Sequence, residues 1–272
     1  MLSELDGAKL IAGGQSLVPM LNMRYVFVEN LIDINRVQGL SSVERPSPDV
    51  ARIGAMTRQR DILADPLLRD RAPVVGEALR FVGHLHTRNR GTIGGSLAHM
   101  DPAAELMNIA TLLDATVHVE STRGGRDIAI GEFPLAFMTP QLDADEMIVA
   151  VSFNLPRAGH GWSFHEFAQR HGDFAIVAVG AIVEVEPDGL TVGDARIVLS
   201  GVDFAPQRLR DAEDILKSRG PEATGAAAAC AAGVEAISDA MASGAYRQHL
   251  ARILTGRALS QAFDRARGAS LQ

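Results

Sequence analysis

Two short glycine-rich segments, far apart in the chain, constrain it more than any other feature. The first is Ala12-Gly13-Gly14-Gln15-Ser16 and the second is Thr92-Ile93-Gly94-Gly95-Ser96. Adjacent glycines let a backbone turn sharply and approach a ligand closely, so that its N–H groups converge on an anion. A Ser or Thr hydroxyl beside them adds a neutral donor. One such segment alone is more often a plain turn. Two of them, each pairing Gly-Gly with a hydroxyl, point to a single extended phosphate-bearing cofactor held from two sides.

Composition sets limits on what surrounds that site. The chain has 272 residues, 47% of them hydrophobic, enough for a substantial core and a length that suits one to three domains. No apolar run is long enough for a membrane span, and the N-terminus lacks a basic-then-apolar leader. A net charge of -7 disfavours nucleic acid as a partner. All basic residues except Lys9 and Lys217 are arginine, so neither glycine segment has a lysine beside it. Cys230 is the single cysteine, which fits a reducing cytoplasm. It also excludes an iron–sulfur cluster or a cysteine-based zinc site on this chain.

The local pattern alternates β and α. Lys9–Ala12, Asn30–Ile34 and Val50–Ala55 read as strands. A helix capped by Thr57 is expected next, then one over Pro73–Val82. Pro102–Leu113 reads as a helix with Asp101 as N-cap, and Ala115–Ser121 as a strand with Val117 and Val119 inward. A linker falls at Pro156–Gly161. Beyond it, Phe174–Val185 and Val192–Ser200 read as strands. Asp211–Lys217, Thr224–Met241 and Tyr246–Phe263 read as helices. Neither G-x-G-x-x-G, nor G-x-x-x-x-G-K-[ST], nor G-x-S-x-G occurs, which disfavours a Rossmann dehydrogenase, a P-loop ATPase and an α/β-hydrolase.

The strings AGGQSLVPMLNMR (12–24), LIDINRV (31–37), RNRGTIGGSLAHMDPAAEL (88–106), RHGDFAIVAVGA (170–181) and YRQHLARILTGRAL (246–259) are spread along nearly the whole chain. In them the chain resembles the FAD-binding medium subunit of the molybdenum hydroxylases, the group of the carbon monoxide dehydrogenase flavoprotein and the xanthine dehydrogenase FAD subunit. The resemblance implies an α+β fold: a two-part FAD-binding domain of the PCMH type at 1–158, then a smaller C-terminal domain at 159–272 with an antiparallel sheet and helices. It implies non-covalent FAD held by Ala12, Gly13, Gly14, Gln15 and Ser16 and by Thr92, Ile93, Gly94, Gly95 and Ser96. Glu105, Leu142 and Ala168 match further cofactor positions, although Ala168 stands where similar chains often carry Lys, with Arg170 or His171 as substitutes. Relatives place an opening strand and helix before the first loop, so the N-terminal edge here is expected to be truncated.

The same resemblance implies an electron-transfer subunit in the cytoplasm. Partner chains would carry the rest: an iron–sulfur small subunit with [2Fe-2S] clusters and a large subunit with molybdopterin, in a dimer of heterotrimers. No side chain is assigned as nucleophile or general base. A self-sufficient flavin oxidase of the same fold is the alternative, and a scaffold without cofactor a third reading. His84, His86, His99 and Asp101 raise the idea of a metal, but isolated histidines are usually hydrogen-bonding residues and no metal is assigned. Asp101 and Glu105 read more simply as helix-start acids than as an acid–base pair. Asp173 is read as a turn residue or a flavin neighbour, and Cys230 as inert packing.

Overall fold

The computed structural model describes residues 1–269. Strands β1 (Ala8–Ile11) and β2 (Asn30–Asp33) pair in parallel, joined through the short helix α1 (Leu17–Asn22). Parallel neighbours need a crossover, and the first glycine segment makes the turn from β1 into it. The hairpin β3 (Val43–Ser47) and β4 (Val50–Gly54) follows.

Six short helices come next: α2 (Gln59–Ala64), α3 (Pro66–Arg71), α4 (Pro73–Leu79), α5 (Leu85–Arg90), α6 (Ile93–His99) and α7 (Glu105–Leu112). The sequence punctuates them. Pro66 and Pro73 open α3 and α4, and Asp65 caps α3 by accepting the Leu68 N–H at 3.0 Å.

Strands β5 (Thr116–Ser121) and β6 (Gly124–Ala129), the small hairpin β7 (Pro134–Ala136) and β8 (Thr139–Pro140), and β9 (Met147–Asn154) return the chain to the sheet. The result is a five-stranded antiparallel sheet in the order β3-β4-β9-β5-β6. Its inner face, with Ile53, Val117, Val151 and Phe153 fully buried, packs with the helical segment into the main core.

A second antiparallel sheet holds β10 (Gly161–Phe167), β11 (Val177–Val185), β12 (Val192–Ser200) and β13 (Gln207–Arg208). Helices α8 (Arg210–Arg219), α9 (Thr224–Ala231) and α10 (Gly244–Ala269) complete the chain. β11 touches α10 and also α7, which is why Val177 to Val183 is one continuous buried run. α10 crosses β10 so closely that a Cβ on Gly161 would lie 1.7 Å from the Ala262 carbonyl oxygen. α7 links the two sheets: the buried Asn108 donates to Ser200 Oγ at 2.8 Å and to the Val198 carbonyl at 3.2 Å.

The α+β class with antiparallel sheets and helices is the one expected. Several local expectations need correction. Thr57 does not cap α2; it is buried and donates to the Ser42 carbonyl at 3.1 Å, leaving Arg58 at the N-cap. Asp101 does not cap α7, because Met100 turns left-handed and α7 starts only at Glu105; Asp101 instead accepts from the Ala103 N–H at 2.8 Å. The helix expected over Thr224–Met241 stops at Ala231, where Gly233 and the Asp239 turn take over. β11 starts at Val177, and Phe174 lies exposed before it.

Candidate functional site

The fold brings the two glycine segments into contact. A Cβ on Gly13 would lie 2.2 Å from the Arg90 carbonyl oxygen and 2.9 Å from Gly91 Cα, and one on Gly95 would lie 3.6 Å from Ala12 Cβ. Only a residue without a side chain permits the first approach. Arg58 binds the junction together. Its guanidinium donates to the Arg90 carbonyl and to Asn35 Oδ1, and the Asn35 amide donates to the Ala12 carbonyl at 2.8 Å. The Gln59 N–H adds a bond to the Gly91 carbonyl at 2.9 Å.

The first segment presents unused donors. Among the described residues, none of the backbone N–H groups from Gly13 to Leu17 donates within the chain. Gly14 takes φ +74°, a conformation that favours glycine and folds successive N–H groups toward one side. Gly13, Gly14 and Gln15 border a cavity of about 460 Å³ whose wall also includes Val18, Asp33, Asn35 and Arg90. A run of N–H groups without partners at a cavity is a place where an anion can bind. The Gln15 side chain donates back to the Gly13 carbonyl at 3.1 Å and stiffens the turn.

The second segment behaves differently from a loop that offers N–H groups. Thr92 is the N-cap of α6, and the rest of the segment is its first turn. The Gly95 N–H bonds Thr92 Oγ1 at 3.1 Å, the Ser96 N–H bonds the Thr92 carbonyl at 3.1 Å, and the Gly94 N–H bonds the Ala55 carbonyl at 2.9 Å. Its glycines serve close packing: a Cβ on Gly94 would lie 2.6 Å from that of Ala55. The half-buried Ser96 hydroxyl keeps its hydrogen-bonding capacity free among the described residues.

Past α6 lies a group of buried and half-buried acidic side chains. Glu105 is 7% exposed at the start of α7, and burial pushes its carboxyl up to about 7. Burial also raises Asp101 and lowers His99, its neighbour. Glu166 on β10 was not singled out from the sequence. Burial, with Glu105 beside it, raises that carboxyl to about 8, and its Oε2 is buried without a partner. The strand alternation Trp162, Phe164, Glu166 could have revealed it, since the first two face the main core.

Leu142 follows β8, which packs against α6, and is half-buried on the core margin. Ala168 is half-buried just beyond β10. No hydrogen bond joins either to the glycine segments among the described residues. In the following turn, a Cβ on Gly172 would lie 3.0 Å from the His84 ring. Among the described residues no three His, Cys, Asp or Glu side chains group as a metal site. On the open face of the five-stranded sheet, His118 bonds Asp127 at 2.6 Å and Ser152 at 2.7 Å. Ser152 sits mid-strand between two paired neighbours, so this is a cross-strand polar row.

Comparison with known proteins agrees with this architecture. Residues 1–157 match the family described as the FAD binding domain in molybdopterin dehydrogenase, and residues 162–262 match the CO dehydrogenase flavoprotein C-terminal domain. The chain is 38% identical to the 6-hydroxypseudooxynicotine dehydrogenase complex subunit alpha of Paenarthrobacter nicotinovorans, over 96% of this chain and 89% of that one. Carbon monoxide dehydrogenase from Hydrogenophaga pseudoflava superposes with a TM-score of 0.92 at 32% identity, covering 97% of this chain and 92% of the other. Quinoline 2-oxidoreductase from Pseudomonas putida 86 superposes with a TM-score of 0.91 at 33% identity, covering 99% and 93%.

Proposed function

The chain belongs to the FAD-binding subunits of the molybdopterin dehydrogenases, and from that premise we propose that it is the electron-transfer component of a hydroxylase complex. It takes electrons from an iron–sulfur small subunit and passes them to an external acceptor, while a large subunit with the molybdenum cofactor oxidises the substrate. The observation that carries this reading is the run of unused backbone donors of the first glycine segment at a cavity, with the second segment packed against it at Ala12.

The residues present suit FAD. Gly13, Gly14, Gln15 and Ser16 offer donors to a diphosphate, with Ala12 and Gly95 in contact beneath them. Thr92, Ile93, Gly94 and Gly95 set the position and approach of the second wall, and Ser96 supplies a hydroxyl. Glu105, Leu142 and Ala168 border the remainder of the cofactor. When bound, FAD supplies the capacity to take electrons singly and release them singly or in pairs. The chain's own part is to bind the group, orient it and set the polarity around it. The Glu105 carboxyl, raised to about 7 by burial, is partly protonated near neutral pH, and its protonated form can donate as well as accept hydrogen bonds.

Residues 1–158 form the flavin domain in this reading, and 159–272 the C-terminal domain. The complex is a dimer of heterotrimers in the cytoplasm; no helix among the described residues is long and apolar enough to cross a membrane. The test is direct. The purified full chain should be yellow, and acid precipitation should release the colour as FAD. Colour retained in the pellet would reject non-covalent binding, and a colourless protein that takes up no added FAD would reject the reading as a whole.

A further inference from the structure

The cavity beside the first glycine segment poses a charge problem. Asp33 lines it, and hydrogen bonds from the Asn35 N–H and amide hold its carboxyl below the usual range, so it is ionised. Neutral N–H groups alone would then meet a diphosphate beside a fixed negative charge, and neither lysine of the chain lies in this wall. Three arginines lie around Asp33. Arg58 contributes geometry, since its guanidinium is committed to the Arg90 carbonyl and Asn35. Arg36 acts on Asp33 from the same strand end but does not line the cavity. Arg90 does line it, and among the described residues its side chain makes no hydrogen bond and no ion pair. Its backbone is fixed from two sides, by the contact with Gly13 and by Arg58.

We propose that Arg90 is the cation that neutralises the cofactor's diphosphate, delivered into the cavity by the hydrogen bonds Arg58 makes to its carbonyl and to Asn35. This rests on the FAD reading above and adds a binding residue and a positioning residue to it. A planar guanidinium with several donors matches two phosphate oxygens at once, which a lone N–H cannot. Arg58 spends its own donors holding the two glycine segments in register, so its contribution to the cofactor passes through Arg90. Any substitution at Arg90 leaves its carbonyl, and hence the Arg58 bond, in place.

The experiment uses the full chain stripped of flavin, titrated with FAD and with riboflavin, which lacks the diphosphate. Arg90→Gln should weaken FAD binding on the order of 10-fold or more. It should leave riboflavin binding and the melting temperature of the apoprotein unchanged and flatten the salt dependence of FAD affinity. Arg90→Lys should recover part of the loss. Arg58→Met should weaken FAD binding in the parent but add little on top of Arg90→Gln, the non-additivity expected of one residue acting through another. FAD binding by Arg90→Gln with parental affinity and salt dependence would overturn the proposal, as would an equal loss for riboflavin. Failure of the parent chain itself to bind FAD is a different result, one that removes the cofactor reading on which the proposal stands.

Discussion

A methyl group on Gly13 would sit 2.2 Å from the carbonyl oxygen of Arg90. That approach joins two stretches of chain that enter the site from different elements, the end of β1 and the end of α5, and Arg58 seals it with a hydrogen bond to the same carbonyl. The contact makes the first glycine segment and the wall opposite it one unit. A change there strikes the local fold and, in the proposed reading, the cofactor site together.

Gly13→Ala should separate that unit. The new Cβ forces the backbone of Arg90 away, with an overpacking cost of about 1–3 kcal/mol. The expected result is a lowered melting temperature together with FAD loss, read by thermal melt and by flavin absorbance. Gly39→Ala, where nothing lies within 4 Å but φ is +79°, controls for backbone strain alone. If Gly13→Ala melts like the parent and retains FAD, the close approach has no importance.

The two glycine segments should fail in different ways. Gly14→Val strains a position at φ +74° and places a branched side chain beside the unused donors, so FAD should be lost with most of the fold retained. Gly94→Ala drives a Cβ to within 2.6 Å of Ala55 Cβ, so it should destabilise the fold first, whether or not flavin is present. Thr92→Val removes the α6 cap and should cost about 1 kcal/mol. Comparing apoprotein melts with FAD content separates the outcomes. An intact, FAD-free Gly94→Ala protein would show that the second segment binds the cofactor directly by its backbone.

The contrast shows what the amino-acid pattern could convey. Gly-Gly with a hydroxyl was enough to mark both segments, because glycine is required either for positive φ or for close packing. Which of the two applies depends on Ala55 and Arg90, distant in sequence, and so was invisible locally. The strand alternation at Val117 and Val119 was legible because one face is buried and the other open. The central strand β9, an apolar run with no alternation signal, was not read as a strand. Thr57 and Asp101 looked like caps because their types favour that role; a tertiary partner, the Ser42 carbonyl, claimed the first, and a local turn to the Ala103 N–H claimed the second. Glu166 escaped notice because its significance lies in Glu105, which only the packing of α7 on β11, the neighbour of β10, brings near.

The Glu105–Glu166 pair should leave a mark on the pH dependence of stability. Both carboxyls ordinarily titrate near 4.5, and in the fold they rise to about 7 and about 8. The native state therefore holds protons that the unfolded chain releases, and their stabilisation is full below 4.5 and is lost as pH rises through 7 and 8. His99, His160 and His165, lowered by burial, act in the opposite sense at lower pH, so the comparison has to be with a variant. Glu166→Gln apoprotein should lose less stability than the parent between pH 6 and about pH 9. Parallel melting curves for the two would mean that the carboxyls are not coupled to folding.

Partnership is the remaining prediction, and it rests on the family to which the chain belongs. Cys230 is a single, half-buried thiol, and no metal-binding group of side chains occurs among the described residues. In the proposed reading, substrate oxidation with water and the relay of electrons belong to partner chains. The isolated protein should reduce and reoxidise its flavin with an artificial donor yet leave the pathway substrate untouched. Co-expression with the neighbouring iron–sulfur and molybdenum chains, with one affinity tag on this chain, should retain both iron and molybdenum and restore turnover. Full turnover by this chain alone, with neither metal present, would favour a self-sufficient flavin oxidase and defeat the subunit reading.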